Sequence, residues 1–183
     1  MKRLDHVLQK KRFREALSCD ISTERVLDFG TGDGTLLCEI CPNPEFFVGV
    51  DPHANTDSLP SGASFVKSLD EINPPTNLFT VIFALAVLEH LTEVQLREFA
   101  SKSLALSAKK AALVCTVPSP KVDWILPVLR SLRLLDGIAI HEHHGIRVEE
   151  IVEMLTSEGW SLVSHSRFQL GLNNLMVFQN LNR

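Results

Sequence analysis

The sequence predicts an α/β fold built on a mainly parallel sheet, and three observations support that prediction. Strand-like apolar runs alternate with helix-like segments throughout the 183 residues, as in sheets whose strands are joined by crossover helices. The run at residues 79–85 is apolar without alternation, which is typical of a strand covered on both faces. The last two strand-like runs are separated only by residues 169–173, which favours an antiparallel hairpin. We therefore expect a single domain, residues 1–183, with about seven strands and a hairpin at its C-terminal end.

The first half of the chain alternates between helix and strand patterns that are separated by turn residues. Residues 1–20 are an N-terminal helical segment in which Lys and Arg separate the apolar positions. A glycine-rich turn occupies residues 30–34, and residues 52–62 carry the Pro, Asn, Asp, Ser and Gly typical of a loop. The predicted elements are helices at 2–18 and 35–41 and strands at 25–29, 46–51 and 64–67.

The second half continues the alternation with clearer helix boundaries. Thr92 and Gln95 fit a capping box at a helix start, and Gly159 fits the position just after a helix end. Residues 121–146 are longer than a tight connection. We interpret them as a candidate substrate-covering insertion, with a dimer interface or a membrane-surface contact as alternatives. The predicted elements are strands at 79–85, 111–117, 161–168 and 174–178 and helices at 92–106, 123–135 and 147–158.

Composition narrows the class of protein. Hydrophobic residues make up 45% and charged residues 22%, which is ordinary for a soluble globular chain. The net charge of −4 argues against non-specific nucleic-acid binding, and we interpret the basic N-terminal run as the solvated face of a helix. The longest apolar run, residues 81–88, is far shorter than the roughly 20 residues of a membrane span. With no secretory signal and four Cys in no disulfide pattern, we expect a cytoplasmic protein.

The glycine turn follows an acidic strand residue and has unusual spacing. Gly30, Gly32 and Gly34 alternate, so the nicotinamide pattern Gly-x-Gly-x-x-Gly is not met. Asp28, on the preceding strand, disfavours a phosphate and favours a cation. Asp51, at the end of the next strand, can accept hydrogen bonds from ribose hydroxyls. The pocket therefore suits a nucleoside that carries positive charge, such as S-adenosylmethionine, and a nicotinamide oxidoreductase is disfavoured.

Three stretches in order resemble the class I S-adenosylmethionine-dependent methyltransferases. They are VLDFGTGDG at 26–34, VGVD at 48–51 and FTVIFALAVLEHL at 79–91, and the last is similar to the group that includes ubiquinone and menaquinone biosynthesis enzymes. The resemblance covers residues 24–118. It implies a Rossmann-like three-layer sandwich, a seven-stranded, mostly parallel sheet with a C-terminal antiparallel hairpin, and S-adenosylmethionine as the cofactor.

The resemblance also implies a cofactor site, with a plain tight turn as the alternative explanation of the glycines. The three glycines would pack against the methionine part, Asp28 would face the ammonium, and Asp51 would hold the ribose. The proline would lie against the adenine, the residues after the third strand would lie near the adenine amine, and the strand-four alanine would approach from the sheet. The matching positions are Asp28, Gly30, Gly32, Gly34, Asp51, Pro52, Ser68, Leu69 and Ala84.

Two positions depart from the family pattern. Ser68 stands where the family places an acid near the adenine, although Asp70 is close by in sequence. Thr80 stands where an Asp is usual, which we expect to affect local structure rather than chemistry. These departures motivate the alternative that the chain is a non-catalytic, methyltransferase-like binding or regulatory module.

The catalytic residues are marked less clearly than the cofactor site. In the sequence IHEHHGI, His144 is the first candidate for a general base or acceptor ligand and His143 the second; a metal site or a solvated loop are the alternatives. His90, which follows Glu89 after the fourth predicted strand, is a third candidate, with a structural hydrogen bond at that position as the favoured alternative. Cys38 and Cys41 have the spacing of half a zinc site, but no second pair exists, so we expect no metal.

The predicted activity is methyl transfer to a small molecule or biosynthetic intermediate, at oxygen. Methyl transfer from a sulfonium needs alignment more than a strong base, which explains a clear cofactor motif beside a faint catalytic one. The Asn/Asp-Pro-Pro-aromatic pattern of amino-methylating DNA and protein enzymes is absent after residues 79–85; NPPT at 73–76 precedes that strand. We therefore expect a small-molecule, lipid or glycan acceptor rather than nucleic acid.

Overall fold

The computed structural model describes residues 3–40, 44–53, 63–72, 78–119 and 146–181. The strands within these ranges are β1 (Arg25–Phe29), β2 (Phe46–Val50), β3 (Ser64–Val66), β4 (Phe79–Leu85), β5 (Ser107–Pro118), β6 (Trp160–Phe168) and β7 (Asn173–Asn180). The helices are α1 (Arg3–Leu17), α2 (Thr35–Glu39), α3 (Glu93–Leu106) and α4 (Val148–Ser157). Two single 3₁₀ turns, at Leu69–Glu71 and Leu88–His90, follow β3 and β4.

All seven strands belong to one sheet with the order β3-β2-β1-β4-β5-β7-β6. Strands β1 to β5 pair in parallel, whereas β7 is antiparallel to both of its neighbours. This confirms the predicted mostly parallel sheet with a C-terminal hairpin. The strand order reverses between β1 and β4, and such a reversal opens a crevice at the carboxyl ends of the strands.

Helices cover the sheet on both faces, which makes the three-layer sandwich. Leu27 of β1 belongs to a core cluster shared with α3 and α4, whereas its neighbour Val26 belongs to a cluster shared with α1 and α2. This alternation follows from successive strand side chains pointing to opposite faces. Trp160 is buried in the first cluster. Its indole N–H donates to Ala100 O and Ser103 Oγ of α3, each at 3.2 Å.

The predicted helix boundaries are confirmed where a cap marks them. The Thr92 Oγ1 accepts from Gln95 N at 3.3 Å, and Gln95 Oε1 accepts from Thr92 N at 2.9 Å, so the capping box is complete. Gly159 follows the last turn of α4 with φ +109°, a conformation in which glycine avoids steric cost.

Several predicted boundaries shift by a few residues. Helix α2 ends at Glu39 instead of residue 41. Strand β5 begins at Ser107 instead of residue 111, because the chain leaves α3 directly as a strand. A register shift between β4 and β5 then absorbs the extra residues, and Lys110 adopts φ +61° there. The predicted helix at 123–135 and residues 121–145 of the predicted insertion lie outside the described residues.

Within the described ranges, no helix combines the length and the apolar character that crossing a membrane would require.

Candidate functional site

The glycine turn lies at the carboxyl end of β1, where the strand order reverses. Gly30 N and Thr31 N both donate to Val50 O, at 2.8 and 3.2 Å, so the turn is held against the end of β2. Gly30, Gly32 and Gly34 have φ values of +80°, +54° and +70°. Residues that carry a Cβ rarely adopt these φ values, which explains why all three positions are glycine. At Gly32 a Cβ would meet no atom within 4 Å, so a ligand can approach the exposed backbone at that residue.

Asp51 joins the end of β2 to this turn. Its Oδ2 accepts from Gly32 N at 3.0 Å, and its Oδ1 accepts from His53 N at 2.8 Å. An ionised carboxylate has about four acceptor positions, so about two remain for hydroxyl donors. Pro52 follows directly and is exposed beside the same edge of the sheet.

Asp28 is a buried carboxyl beneath the turn, with 4% of its surface exposed. Burial raises its pKa to about 7, because the charged form loses its hydration. The Thr31 side chain opposes the upward shift of this pKa, and the neighbouring carboxylates of Asp51 and Asp33 add to it; the value of about 7 includes all of these contributions. The group therefore changes charge close to neutral pH and would become fully ionised beside a cation.

Ser68 and Leu69 follow β3, the next strand beyond β2. Asp51 N donates to Val66 O at 3.1 Å, so the ends of β2 and β3 are held together. Ser68 is half-buried there, whereas Leu69 is part of the hydrophobic core. Asp70, the nearest acid in sequence, is engaged elsewhere, since Lys102 Nζ of α3 lies 2.7 Å from its Oδ1.

The end of β4 and the residues just beyond it lie near the glycine turn. Ala84 is fully buried in the core between β1 and β5. Ala86 and Val87, just beyond β4, reach further. A Cβ on Gly30 would lie 2.8 Å from Val87 Cγ2, and Ala86 takes φ +57° while its N–H donates to Thr116 O at 2.9 Å. Sequence reasoning missed both residues, since no local pattern marks the contact between Val87 and Gly30.

The candidate catalytic residues are only partly placed. His90 is exposed on the turn after β4, whereas the adjacent Glu89 has 6% of its surface exposed. Burial raises the pKa of Glu89, and the positive charge of Arg12 on α1 opposes that shift. Thr92, rather than Glu89, caps α3. His143 and His144 lie outside the described residues and stay predictions.

No group of three His, Cys, Asp or Glu side chains within the described ranges is arranged to hold a metal. Cys38 is exposed and free, and Cys115 is buried; Cys41 lies outside those ranges.

Comparison with known proteins gives a family and a set of similar folds. A family described as a methyltransferase domain matches residues 2–165. The N-methyltransferase NodS from Bradyrhizobium japonicum WM9 is similar with a TM-score of 0.67 at 16% identity, over 96% of this chain and 98% of that one. None of the curated protein sequences matches.

Two further solved structures show the same fold. An O-methyltransferase family protein from Burkholderia thailandensis has a TM-score of 0.69 at 16% identity, over 94% of this chain and 56% of that one. The magnesium protoporphyrin IX methyltransferase from Synechocystis PCC 6803, solved with bound SAH, has a TM-score of 0.61 at 14% identity, over 96% of this chain and 82% of that one. Since the family match spans most of the chain and the glycine turn lies where the strand order reverses, the chain belongs to this methyltransferase family, whose methyl donor is S-adenosylmethionine.

Proposed function

We propose that the chain transfers the methyl group of S-adenosylmethionine to a hydroxyl oxygen of a small molecule. The observation that carries this proposal is the open backbone at Gly32, which is hydrogen-bonded to Asp51 at 3.0 Å where the strand order reverses. A glycine turn and an acid at neighbouring strand ends can together bind an aminoacyl group and a ribose.

The residues present fit this cofactor. The open space at Gly32 admits the methionine part, and the remaining acceptor positions of Asp51 suit the two ribose hydroxyls. Asp28 supplies a buried carboxylate for the ammonium, and that ammonium would favour its ionised form. Pro52 and Ser68 lie at the adjoining strand ends, where the adenine would follow the ribose.

The cofactor supplies an activated methyl group, so the protein needs mainly to align the acceptor and exclude water. The acceptor is proposed to lie next to helix α1 and the buried turn after β4. These two elements are close to each other, because Arg12 on α1 and Glu89 in the turn interact electrostatically. His144 and His143 are proposed to assist as general bases, and His90 is the third candidate.

The sequence after β4 argues against methylation of the amino groups of DNA or protein. The tripeptide that follows the strand is Ala86-Val87-Leu88, which lacks the amide and prolines of enzymes that methylate amino groups of DNA and protein. The acceptor is therefore proposed to be a small molecule or biosynthetic intermediate, with lipids and glycans included. The similar structures carry names of both N- and O-methyltransferases, so they leave the methylated atom open.

Calorimetric titration with S-adenosylmethionine and with S-adenosylhomocysteine tests the cofactor site. We expect saturable binding of both, and Asp51→Ala should weaken it about a hundredfold or more, since it removes charge-assisted hydrogen bonds to two hydroxyls. Asp51→Asn should lie between, because one acceptor oxygen remains. Asp20→Ala, an exposed acid before β1, is the matched control. Unchanged affinity in Asp51→Ala would overturn the ribose assignment.

The acceptor is tested with the same preparation. Incubation with labelled cofactor and a panel of hydroxyl, amine and thiol compounds should give labelled methyl ethers from the hydroxyl compounds. Labelled products only from amines would overturn the assignment of oxygen and leave the cofactor site intact.

A further inference from the structure

Three buried side-chain atoms near the ends of β4 and β5 have no hydrogen-bond partner. They are Arg12 Nε on α1, Glu89 Oε2 in the turn after β4, and Thr116 Oγ1 near the end of β5; no described residue bonds to any of them. Buried polar groups are nearly always paired, because an unpaired one keeps the full cost of losing its hydration. Three such atoms at one edge of the sheet therefore point to a polar group that the described part of the chain does not supply.

These atoms come from segments that meet. Ala86 N, three residues before Glu89, donates to Thr116 O at 2.9 Å, which places the turn after β4 against the end of β5. The negative charge of Glu89 raises the pKa of Cys115, the neighbour of Thr116, and it also acts to raise the pKa of Arg12. Helix α1 is also held to the C-terminal hairpin, because Gln169 Nε2 donates to Leu8 O at 3.0 Å.

The opposite charges of Glu89 and Arg12 indicate which kind of group could bind between them. Glu89 can accept a hydrogen bond and would attract a cation, but the guanidinium of Arg12 would repel one. An anion would meet the reverse situation. A neutral group that both donates and accepts satisfies Glu89 and Arg12 together, and apart from water a hydroxyl is the smallest such group. The residues near Glu89 in sequence are apolar, since Val87 and Leu91 lie two residues to either side of it and are partly buried against the core, as is Phe29 at the end of β1.

We propose that Glu89 and Arg12 form the specificity site for the acceptor and bind the hydroxyl of an otherwise apolar molecule, with Thr116 as a third polar contact. Glu89 accepts from the hydroxyl hydrogen, and Arg12 donates to the hydroxyl oxygen. The inference rests on the proposed function, since it names the acceptor class of the same site.

The test uses three small aromatic probes that differ only in the polar group. Phenol donates and accepts, anisole only accepts, and toluene does neither. Binding to the full chain saturated with S-adenosylhomocysteine is followed by ligand-observed NMR. We expect phenol to bind at least tenfold more tightly than anisole or toluene, as a hydrogen bond to a charged group implies.

Variants then assign that preference to the site. Glu89→Gln, of nearly equal shape, and Glu89→Leu should each reduce phenol binding at least tenfold and leave toluene binding unchanged. Glu93→Gln changes an exposed carboxylate four residues away and is the matched control for the Glu89 variants. The readout is the ratio of phenol to toluene affinity, which a purely structural role of Glu89 would not change.

Two results would overturn the inference. Equal phenol binding in the wild-type chain and both Glu89 variants would mean that water alone occupies the place between Glu89 and Arg12. Equal binding of all three probes by the wild-type chain would mean that the site does not recognise a hydroxyl. Both results leave the cofactor assignment standing, because that assignment fails only when S-adenosylhomocysteine itself does not bind.

Discussion

Asp28 is a buried carboxyl with a pKa of about 7, so its protonation should control cofactor affinity near neutral pH. The ionised form attracts the ammonium and the protonated form does not. Affinity is therefore present above pH 7 and is lost as the pH falls, by about tenfold between pH 8 and pH 6. Calorimetry at both pH values measures this change. The Asp28→Asn variant has no titrating side chain at position 28. Its cofactor affinity should therefore change with pH only through the ionisable groups of the cofactor itself. An equal pH dependence in both proteins would contradict the role of Asp28.

The same carboxyl should reduce the stability of the ligand-free protein at high pH. Its pKa in the folded chain lies above the value of about 3.9 in an unfolded one, so the folded state binds the proton more tightly. The free energy of unfolding therefore falls as the pH rises through this range. Asp28→Asn should then increase the free energy of unfolding at pH 8 by up to about 4 kcal/mol, and by less at pH 5. Urea denaturation at the two pH values checks the sign.

The sequence predicts individual residues well where chemistry is local and poorly where contacts are distant. Asp51 follows from its position at a strand end, and the Thr92 cap from a four-residue pattern. The proximity of Arg12 to Glu89 has no local signal, because 76 residues separate them and only the sheet brings α1 over the turn after β4. The pairing of Asp70 with Lys102 is equally invisible, and it removes the acid that the sequence offered beside Ser68.

At the scale of elements, the turn after β1 and the segment after β4 fit together through one close contact. Gly30→Ala places a Cβ 2.8 Å from Val87 Cγ2 and also carries the cost of φ +80°. Gly171 in the hairpin has the same φ but meets no atom within 4 Å, so Gly171→Ala isolates the backbone cost of about 1–2 kcal/mol. Gly30→Ala should cost a further 1–3 kcal/mol or so.

Chemical denaturation of the two variants measures the difference in their free energies of unfolding. Val87→Gly removes the three atoms nearest to the new Cβ, so the double variant should bring the cost of Gly30→Ala close to that of Gly171→Ala, relative to the Val87→Gly parent. Equal destabilisation by Gly30→Ala and Gly171→Ala would show that Val87 gives way without cost.

Element boundaries were predictable where a cap or a proline marks them. Strand β5 was placed four residues late, because Ser107 to Lys110 carries two Lys and lacks the apolar run of a covered strand. Lys109 and Lys110 are exposed in the first part of this strand, so the hydrophobic pattern does not mark residues 107–110 as part of it. Strand β7 likewise continues to Asn180, whose side chain donates to Ser107 Oγ at 2.8 Å.

At the scale of the whole molecule, the parallel topology assembles the site from distant parts of the sequence. Parallel strands put all their carboxyl ends at one edge, and the reversal between β1 and β4 parts the adjoining turns. The residues after β1, β2, β3 and β4 thus reach the same edge of the sheet, although they are spread between residues 30 and 87 of the sequence. This is why three short motifs in order predicted the fold, whereas the unpaired atoms of α1 and the end of β5, on which the proposed acceptor site rests, are visible only in the structure.

A ligand bound across these strand ends should stabilise the whole fold, because it binds only the folded chain. At a concentration of about 100 times the dissociation constant, the free energy of unfolding should rise by about 2.7 kcal/mol. For a domain of this size that corresponds to an increase in Tm of roughly 5–10 °C. Thermal unfolding with and without S-adenosylhomocysteine measures it. Asp51→Ala should lose most of the increase at the same concentration, whereas Asp20→Ala should keep it. An increase of full size in Asp51→Ala would place the ligand away from the edge formed by β1 and β2.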